Sequence, residues 1–391
     1  MSMPLPTSFA RWIPRLALAL GLAGQAAETI RITEYAAPTQ KPIPIALAGY
    51  SGEVEQVLRF DLYVVGFTVV EETAAQYTLR GANGEQVEGR LTDNLSKAVK
   101  FAKTYRGGTL RSQAHALADD VVEAVTGQKG IARTKIAFKL TQGQNSEIYV
   151  ADYDGFGAQA VTRDGTVVAA PAWMPGQRKL YYVTYRFGNA DIVWHDLNTG
   201  TRQIFARYAG SNITPAVSPD GRRVAMILSK GGSPDLYVAD ADGSNLRQLT
   251  HTREDESSPT WSPDGRTICV ATRMGGRRML ATIPASGGTL KPLTIVGISN
   301  PSEPDWSPDG KWIAFTAQMR NFEICVVPAG GGEAKLYVAG EDPTWAPNSR
   351  TLMFTRRVNN RRVLSLLDVP TKQQKDVAQL SGHCSQPAWA R

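Results

Sequence analysis

Short apolar runs separated by polar turns recur along the chain from residue 135 to residue 391. One set consists of "KLYYVT" (179–184), "RVAMIL" (223–228), "TICVAT" (267–272), "WIAFTA" (312–317) and "TLMFTR" (351–356). A second set follows it: "DIVWHD" (191–196), "DLYVAD" (235–240), "MLATIP" (279–284), "EICVVP" (323–328) and "VLSLLD" (363–368). Turns such as "DADG" (240–243) then lead to a last short strand such as "LRQLT" (246–250). Four short strands in each unit of 40–45 residues predict one blade of a β-propeller.

A tryptophan marks nearly every unit. The anchor positions, spaced by 44, 44, 45, 39 and 44 residues, are Trp173, Val217, Trp261, Trp306, Trp345 and Trp389. Each has a proline two positions earlier: Pro171, Pro215, Pro259, Pro304, Pro343 and Pro387. Three copies continue with Ser-Pro-Asp-Gly, which favours a type I turn followed by a left-handed glycine. Because this turn recurs from blade to blade, we interpret Asp220, Asp264 and Asp309 as structural rather than catalytic residues.

The two ends of the repeat complement each other. The first copy, 135–162, has three strands and no Pro-x-Trp before them, whereas the last copy, 386–391, has the Pro-x-Trp strand alone. Pairing the two would complete one blade and remove an open sheet edge. The 262 residues of 130–391 accommodate six units of the observed spacing. We therefore expect a mainly β fold, with a six-bladed β-propeller over 130–391 that is closed by its C-terminal strand.

Residues 28–129 carry no copy of the repeat, and we expect a small α/β domain there. The segment 42–50 is typical of a buried strand, and a hairpin is predicted around an Ala82-Asn83-Gly84 turn. Apolar residues at spacings of three and four predict a helix over 109–127 that ends at Gly127. The segment 96–105 fits either a helix or a strand.

The N-terminus has the pattern of a secretory signal peptide. Arg11 and Arg15 precede the apolar stretch "LALALGLAG" (16–24), and small residues follow it. This predicts a signal peptide over 1–27 and export from the cytoplasm. The apolar stretch is shorter than the roughly 20 residues that a membrane span requires. We expect no membrane span after cleavage.

Composition and charge narrow the function classes. The net charge of +7 is modest for 391 residues and does not indicate a nucleic-acid partner. Three cysteines do not make a disulfide framework, and we expect Cys269 and Cys325 to be small buried side chains. The four histidines have no metal-ligand spacing, and no hydrolase, phosphate-binding or dinucleotide motif is present. We therefore expect no cofactor, no metal and no enzymatic activity.

Basic residues are concentrated in the connections between the second and third strands of the blades. They are Arg186, Lys230, Arg273, Arg277, Arg278, Arg320, Arg356, Arg357, Arg361 and Arg362. In a propeller these connections share a face with the starts of the innermost strands. One interpretation is an electropositive face that meets an acidic partner. The other is an ordinary solvated rim.

The signal peptide, the small α/β domain and six blades with Pro-x-Trp-Ser-Pro-Asp-Gly resemble the TolB family of the Tol-Pal system. The joint "TGQKGIARTKIAF" (126–138) and the final "PAW" (387–389) also look like those of the family. The resemblance implies a periplasmic scaffold, expected to be a monomer, that supports outer-membrane integrity and envelope constriction during cell division. It also implies two partners, a peptidoglycan-associated lipoprotein (Pal) and the inner-membrane protein TolA.

By position, the resemblance assigns the Pal-facing residues to the starts of the innermost strands. They are Ser211, Asn212, Thr214, Glu256, Ser257, Ser258, Asn300, Ser302, Glu303, Glu341 and Asp342. The family often has a histidine where Ser211 stands. The TolA-facing segment is Glu28, Thr29, Ile30, Arg31, Ile32, Thr33, Glu34 and Tyr35. This segment alternates apolar and polar residues, so it would either add to a partner's sheet edge or pair with its own domain.

An alternative function uses the central channel of the propeller. A channel ringed by Ser, Asn and carboxylate side chains would hold or hydrolyse a small polar ligand such as a peptide or glycan.

Overall fold

The computed structural model of the chain describes residues 35–391. The predicted signal peptide and the segment Glu28 to Glu34 lie outside these residues. The α/β domain comprises β1 (Ile43–Ala48), α1 (Gly52–Tyr63), β2 (Phe67–Val69), a 3₁₀ turn (Glu72–Ala74), β3 (Tyr77–Asn83), β4 (Val87–Asp93), β5 (Val99–Tyr105) and α2 (Leu110–Thr126). Its strands form one sheet in the order β2-β1-β3-β4-β5, with the β1 pairs parallel and the others antiparallel.

The helix α2 is confirmed with its predicted end. The Thr109 side chain accepts a hydrogen bond from the amide of Ser112 at the start, and Gly127 adopts φ +72° at the end. The segment 96–105 contributes strand β5 and no helix. The predicted hairpin is present, but its connection is 84–86, because Ala82 and Asn83 still pair with Glu88 and Val87. The helix α1 was not predicted, and its buried residues include Val54, Val57, Leu58 and Leu62.

Six four-stranded antiparallel sheets follow, which confirms the predicted fold class. Blade 1 contains β6 (Lys135–Gln142), β7 (Asn145–Asp152), β8 (Gln159–Ala160) and the last strand, β31 (His383–Trp389). Blade 2 contains β9 (Val168–Trp173), β10 (Lys179–Thr184), β11 (Asp191–Asp196) and β12 (Arg202–Ala206). Blade 3 contains β13 (Asn212–Val217), β14 (Arg223–Leu228), β15 (Asp235–Asp240) and β16 (Arg247–Gln248).

The other three blades have the same order. Blade 4 contains β17 (Ser257–Trp261), β18 (Thr267–Met274), β19 (Arg277–Pro284) and β20 (Lys291–Pro292). Blade 5 contains β22 (Pro301–Trp306), β23 (Trp312–Gln318), β24 (Phe322–Pro328) and β26 (Lys335–Ala339). Blade 6 contains β27 (Glu341–Trp345), β28 (Thr351–Val358), β29 (Arg361–Asp368) and β30 (Gln374–Asp376). Two short strands, β21 (Ile295–Val296) and β25 (Gly332–Glu333), pair in parallel between blades 4 and 5.

The innermost strands β9, β13, β17, β22, β27 and β31 lie side by side around one axis. The last strand pairs antiparallel with β6, so that Trp389 stands opposite Ile136. Since β31 also contacts β27 and β9, the ring has no free edge at this blade. The Trp261 indole donates to the Ala216 carbonyl of the preceding blade (2.9 Å), and the Trp173 indole donates to Ala388 (3.1 Å). Trp173 and Trp261 therefore join neighbouring blades, whereas the Trp306 indole donates to the Gly310 carbonyl of its own blade (3.3 Å).

The repeated Ser-Pro-Asp-Gly sequence forms the turn after the innermost strand. In blade 3 the Gly221 amide donates to the Ser218 carbonyl (2.8 Å), and the Ser218 hydroxyl donates to Asp220 (2.6 Å). The serine and aspartate of blades 4 and 5 make the same 2.6 Å contact. We call this end of the propeller the turn face. The opposite end, where the innermost strands begin, we call the rim.

The α/β domain packs on the turn face of blades 1 and 6. The Tyr153 hydroxyl of blade 1 donates to Asp61 of α1 (2.6 Å), and His115 of α2 contacts the same carboxylate (2.7 Å). On blade 6, the Thr351 hydroxyl donates to the Val64 carbonyl (3.2 Å). All of these side chains are buried, so the contact is part of one continuous core that also includes Trp389. All three cysteines are buried and unpaired.

Candidate protein-binding rim and central channel

Every innermost strand has a bulge near its start. At each bulge one non-glycine residue adopts a left-handed backbone, with φ between 48° and 56°. These six residues, which we call the left-handed ring, are Ala170, Thr214, Ser258, Glu303, Asp342 and Gln386. Each directly precedes the proline of Pro-x-Trp. A left-handed conformation costs about 1 kcal/mol for such a residue, and strained residues of this kind cluster at functional sites.

Four of the six residues of the left-handed ring are linked by three hydrogen bonds from blade to blade. The Glu303 carboxylate accepts from the amide of Asp342 (3.1 Å), and the Asp342 carboxylate accepts from the amide of Gln386 (3.1 Å). The Gln386 side chain in turn accepts from the amide of Ala170 (3.0 Å). The bulge thus turns the amides of Asp342, Gln386 and Ala170 toward the ring side chain of the preceding blade. These hydrogen bonds consequently depend on the neighbouring blades of the closed propeller and cannot form within one blade.

The carboxylates of this ring lie close to one another. Burial, with the neighbouring Glu303 and Glu341, raises the pKa of Asp342 to about 8. Lys139 lies near Asp342 from blade 1, and burial lowers the pKa of that amine. The mouth of the channel therefore carries one carboxyl group, that of Asp342, whose negative charge is partly suppressed at neutral pH.

Below the ring the channel encloses about 520 Å³. Its wall includes the six prolines that follow the ring residues. Near the turn face, the Arg391 guanidinium contacts Asp305 and donates to the Trp345 carbonyl (3.2 Å). The Thr214 hydroxyl lines the same channel and is buried without a hydrogen-bond partner among the described residues.

The rim residues that the resemblance assigned differ in accessibility. Ser211 and Asn300 are exposed. Seven are half-buried around the mouth: Thr214, Ser257, Ser258, Ser302, Glu303, Glu341 and Asp342. Asn212 is fully buried and donates to the carbonyls of Ala190 (3.1 Å) and Tyr208 (3.0 Å).

Glu256 is also buried. Its carboxylate accepts from the hydroxyls of Thr250 (2.9 Å), Thr252 (2.9 Å) and Thr272 (2.8 Å). Burial raises the pKa of Glu256 in spite of these three donors. Because the hydrogen-bonding atoms of Asn212 and Glu256 are occupied inside the protein, both residues position the strand starts and are not accessible to a partner.

Ala170 and Gln386 complete the ring but were not among the predicted site residues. The signal that finds them is positional: each stands directly before the proline of a Pro-x-Trp unit, as do Thr214, Ser258, Glu303 and Asp342. Tyr35 is the one member of the predicted TolA-facing segment within the described residues. Its hydroxyl donates to Glu323 of blade 5 (3.3 Å).

Comparisons with known proteins agree with this architecture. The sequence profile described as "TolB beta propeller domain" matches residues 122–391. The chain belongs to the TolB beta-propeller family. The structure is also similar to the crystal structure of TolB from Acinetobacter baumannii, with a TM-score of 0.81, and the similarity covers 91% of this chain and 98% of that chain. At 22% identity this likeness shows a shared fold.

Two curated TolB relatives match shorter segments. The Tol-Pal system protein TolB of Actinobacillus succinogenes is 34% identical over 145 residues, 35% of this chain and 34% of the relative. That of Actinobacillus pleuropneumoniae is 30% identical over 191 residues, 48% of this chain and 43% of the relative. The matched segments thus span between a third and a half of these TolB proteins. Neither helix of residues 35–391 is long and apolar enough to cross a membrane.

Proposed function

We propose that this protein is a periplasmic scaffold of the Tol-Pal system that acts by binding and not by catalysis. Its rim binds a Pal-like lipoprotein, and its mature N-terminus, Glu28 to Tyr35, binds a TolA-like inner-membrane protein. By linking the two it supports outer-membrane integrity and constriction of the envelope during division. The match to the TolB propeller profile over 122–391 carries this proposal.

The geometry of the rim supports a protein partner at this end of the ring. Six strained residues of six different types surround one open mouth, and the exposed Ser211 and Asn300 lie at its edge. Side chains in fixed positions on a rigid ring lose little entropy on binding, which favours specific recognition. The turn face is less suited to this role because the α/β domain covers it at blades 1 and 6.

The first described residues support a switchable N-terminus. The Ala36 amide donates to the Leu336 carbonyl on the outer strand β26 (2.7 Å). Lys372 donates to the Ala36 carbonyl (2.6 Å) and lies 5.6 Å from the Tyr35 ring centroid. The described contacts of Tyr35 and Ala36 are hydrogen bonds and a cation–π contact at the protein surface, for which a partner can compete. We propose that occupation of the rim shifts the balance between a docked and a free segment, which couples the two binding sites.

The rim proposal is tested by blocking its edge. Ser211→Trp places a large ring at an exposed position of the rim, and Asn198→Trp places the same ring on the turn face as a matched control. Binding of purified, lipid-free Pal is measured by calorimetry. We expect a loss of at least tenfold in affinity for Ser211→Trp and less than a twofold change for Asn198→Trp. Equal affinities for the two variants would contradict a rim site.

The N-terminal proposal is tested by deleting 28–35 from the mature protein. We expect capture of the TolA domain to disappear while the affinity for Pal is retained. A chain with the same eight residues in scrambled order controls for length and composition. TolA capture by the deleted chain would place the site elsewhere.

The channel favours one second candidate function. Its volume of about 520 Å³ lies in the range of small-molecule sites, and the buried Thr214 hydroxyl offers a free hydrogen-bonding group. A peptide or glycan fragment bound there would broaden or shift the resonances of channel residues in NMR titrations and leave those of the outer strands unchanged.

A further inference from the structure

Ten basic side chains occupy the connections on the rim side, and the structure divides them into two groups. Four are engaged within the protein. Arg356 makes two hydrogen bonds to Asp376 (2.9 and 2.8 Å), and Arg362 pairs with Glu341 (3.1 Å). Arg186 lies 3.6 Å from Asp164, and Lys230 lies over the Tyr208 ring (4.4 Å).

The other six are exposed arginines of three consecutive blades. They are Arg273, Arg277 and Arg278 of blade 4, Arg320 of blade 5, and Arg357 and Arg361 of blade 6. Within residues 35–391, no carboxylate forms an ion pair with any of them. We call this set the arginine arc.

Two of the three hairpins that carry the arc, those of blades 4 and 6, project beyond the rim. In blade 4, Ser257 at the start of the innermost strand is level with Ala271, and three more residue pairs follow, ending at Met274 and Arg277. Blade 6 repeats this, because Glu341 is level with Thr355 and three pairs follow. At about 3.3 Å per residue each hairpin rises about 10 Å above the rim. In blade 3 the corresponding hairpin ends level with the rim, at the pair Asn212 and Leu228.

Both projecting hairpins set like charges against each other. Arg273 stands directly opposite Arg278, and Arg357 stands directly opposite Arg362. Like charges in directly opposed positions destabilise a sheet. Glu341 relieves the second pair through Arg362, but the first has no such partner among the described residues. This arrangement is unfavourable in the free protein and becomes favourable when an anionic group binds.

The surface between the hairpins is not uniformly basic. Blade 5 exposes Met319 and Phe322 beside Arg320, and the mouth within the arc carries Glu303 and Asp342. Glu254 and Asp255 are the acidic residues of the connection that leads to blade 4. A partner that fits this surface has carboxylates at its periphery, an apolar contact at blade 5 and hydrogen-bond donors at the mouth. This mixed pattern favours a folded protein over a uniformly anionic lipid surface.

We infer that the arginine arc of blades 4–6 is the docking surface for an acidic protein partner, which is steered to the rim by these guanidinium groups. The inference rests on the proposed function, since it describes how the lipoprotein that occupies the rim is recognised. It predicts that the partner approaches the rim from the side of blades 4–6 and that the positive charge mainly increases the association rate.

The test compares two triple variants with the same loss of charge. Arg273→Gln, Arg277→Gln and Arg278→Gln remove the blade 4 part of the arc. Arg178→Gln, Arg222→Gln and Arg266→Gln remove three exposed arginines of the turn face. Association of each with lipid-free Pal is followed by stopped flow at 25 and 300 mM NaCl. We expect the arc variant to associate about tenfold more slowly at low salt, with a weaker salt dependence, and the control to stay within twofold of the unmodified protein.

Thermal unfolding separates this effect from misfolding. The arc variant loses an opposed arginine pair, so its Tm should be unchanged or higher. Equal association rates for the two variants, or a wild-type rate that does not depend on salt, would contradict the role of the arginine arc in docking. Neither result would contradict binding of Pal at the rim. Absence of Pal binding at every salt concentration would refute the proposed function together with this inference. If phosphatidylglycerol vesicles bind the wild type but not the arc variant while Pal binding is equal for both, the arc is a lipid site and the inference is wrong.

Discussion

The two ends of the channel use the left-handed backbone in opposite ways. On the turn face of blades 3, 4 and 5 the left-handed positions are Gly221, Gly265 and Gly310, with φ between 66° and 76°, each after the same serine and aspartate, whereas the turn of blade 6 has Ser349 with φ +53°. On the rim the left-handed positions carry Ala, Thr, Ser, Glu, Asp and Gln. Glycine accepts this conformation without strain, whereas the other residues do not. Stability therefore explains the choice of glycine on the turn face. The rim instead retains strained positions, and these present six different side chains around one mouth.

The largest effect should come from introducing strain on the turn face. A Cβ at Gly310 would lie 3.2 Å from a ring carbon of Pro263, and its φ of +76° disfavours a β-branched residue. We expect Gly310→Val to lower the free energy of unfolding by about 3 kcal/mol. Denaturant titration measures this. A loss below 1 kcal/mol would mean that the turn is not held in this conformation.

A smaller effect should come from the rim carboxylate Asp342. Its pKa is raised to about 8 from an ordinary value of 3.8, so the folded protein binds more protons than the unfolded chain between these values. The free energy of unfolding should then fall as pH rises from about 4 to about 8. Glu303, Glu341 and Lys139 are the charged groups that face this carboxyl.

The variant Asp342→Asn removes this proton and keeps an oxygen that accepts from the Gln386 amide. We expect it to be more stable than the wild type by about 2 kcal/mol at pH 8.5, with little difference at pH 4. Unfolding curves at several pH values give the comparison. A constant difference across this range would show that Asp342 is charged throughout.

The sequence predicts the features that every blade shares. Pro-x-Trp recurs five times and Ser-Pro-Asp-Gly three times, because most blades use a large side chain and a tight turn at the same place. The strand "KLYYVT" (179–184) coincides with the observed β10, Lys179–Thr184. Helix α1 was missed although Val54, Val57, Leu58 and Leu62 have helical spacing, because the adjoining apolar run to residue 70 obscures the period.

The rim was less predictable because its chemistry depends on contacts between distant segments. Glu256 has the polar character of a partner-binding residue, but its carboxylate is enclosed by Thr250, Thr252 and Thr272, which belong to two different segments. Asn212 is enclosed in the same way by the backbone of Ala190 and Tyr208. Residue type alone does not reveal such burial. Position before the proline of each unit is the better guide to the channel.

The opposite substitution, from a left-handed non-glycine residue of the rim to glycine, should change the free energy of unfolding little. Ser258 has φ +52°, and its side chain makes no hydrogen bond within the described residues. Ser258→Gly relieves the strain but adds entropy to the unfolded chain, so we expect between no change and about 1 kcal/mol of stabilisation. Denaturant titration beside Gly310→Val tests the contrast in sign. A clear destabilisation would show that the contacts of the Ser258 side chain stabilise the folded protein by more than the strain of its backbone costs.

The smallest effect concerns the turn-face carboxylate Asp220. Hydrogen bonds from the Ser218 hydroxyl (2.6 Å) and the Arg222 amide (3.1 Å) lower the pKa of Asp220, with help from Arg223 and Arg222. A lowered pKa stabilises the folded protein above the ordinary value of 3.8, and this contribution is lost as pH falls through the folded pKa. Asp220→Asn should therefore cost about 0.5 kcal/mol at pH 7, since solvent screens this largely exposed group, and progressively less as the pH falls below 3.8. Asp342→Asn should show the opposite dependence, with its effect growing toward high pH. If both variants instead followed the same trend, the two ends of the channel would not differ electrostatically, and the raised pKa of the rim could not be attributed to its crowded carboxylates.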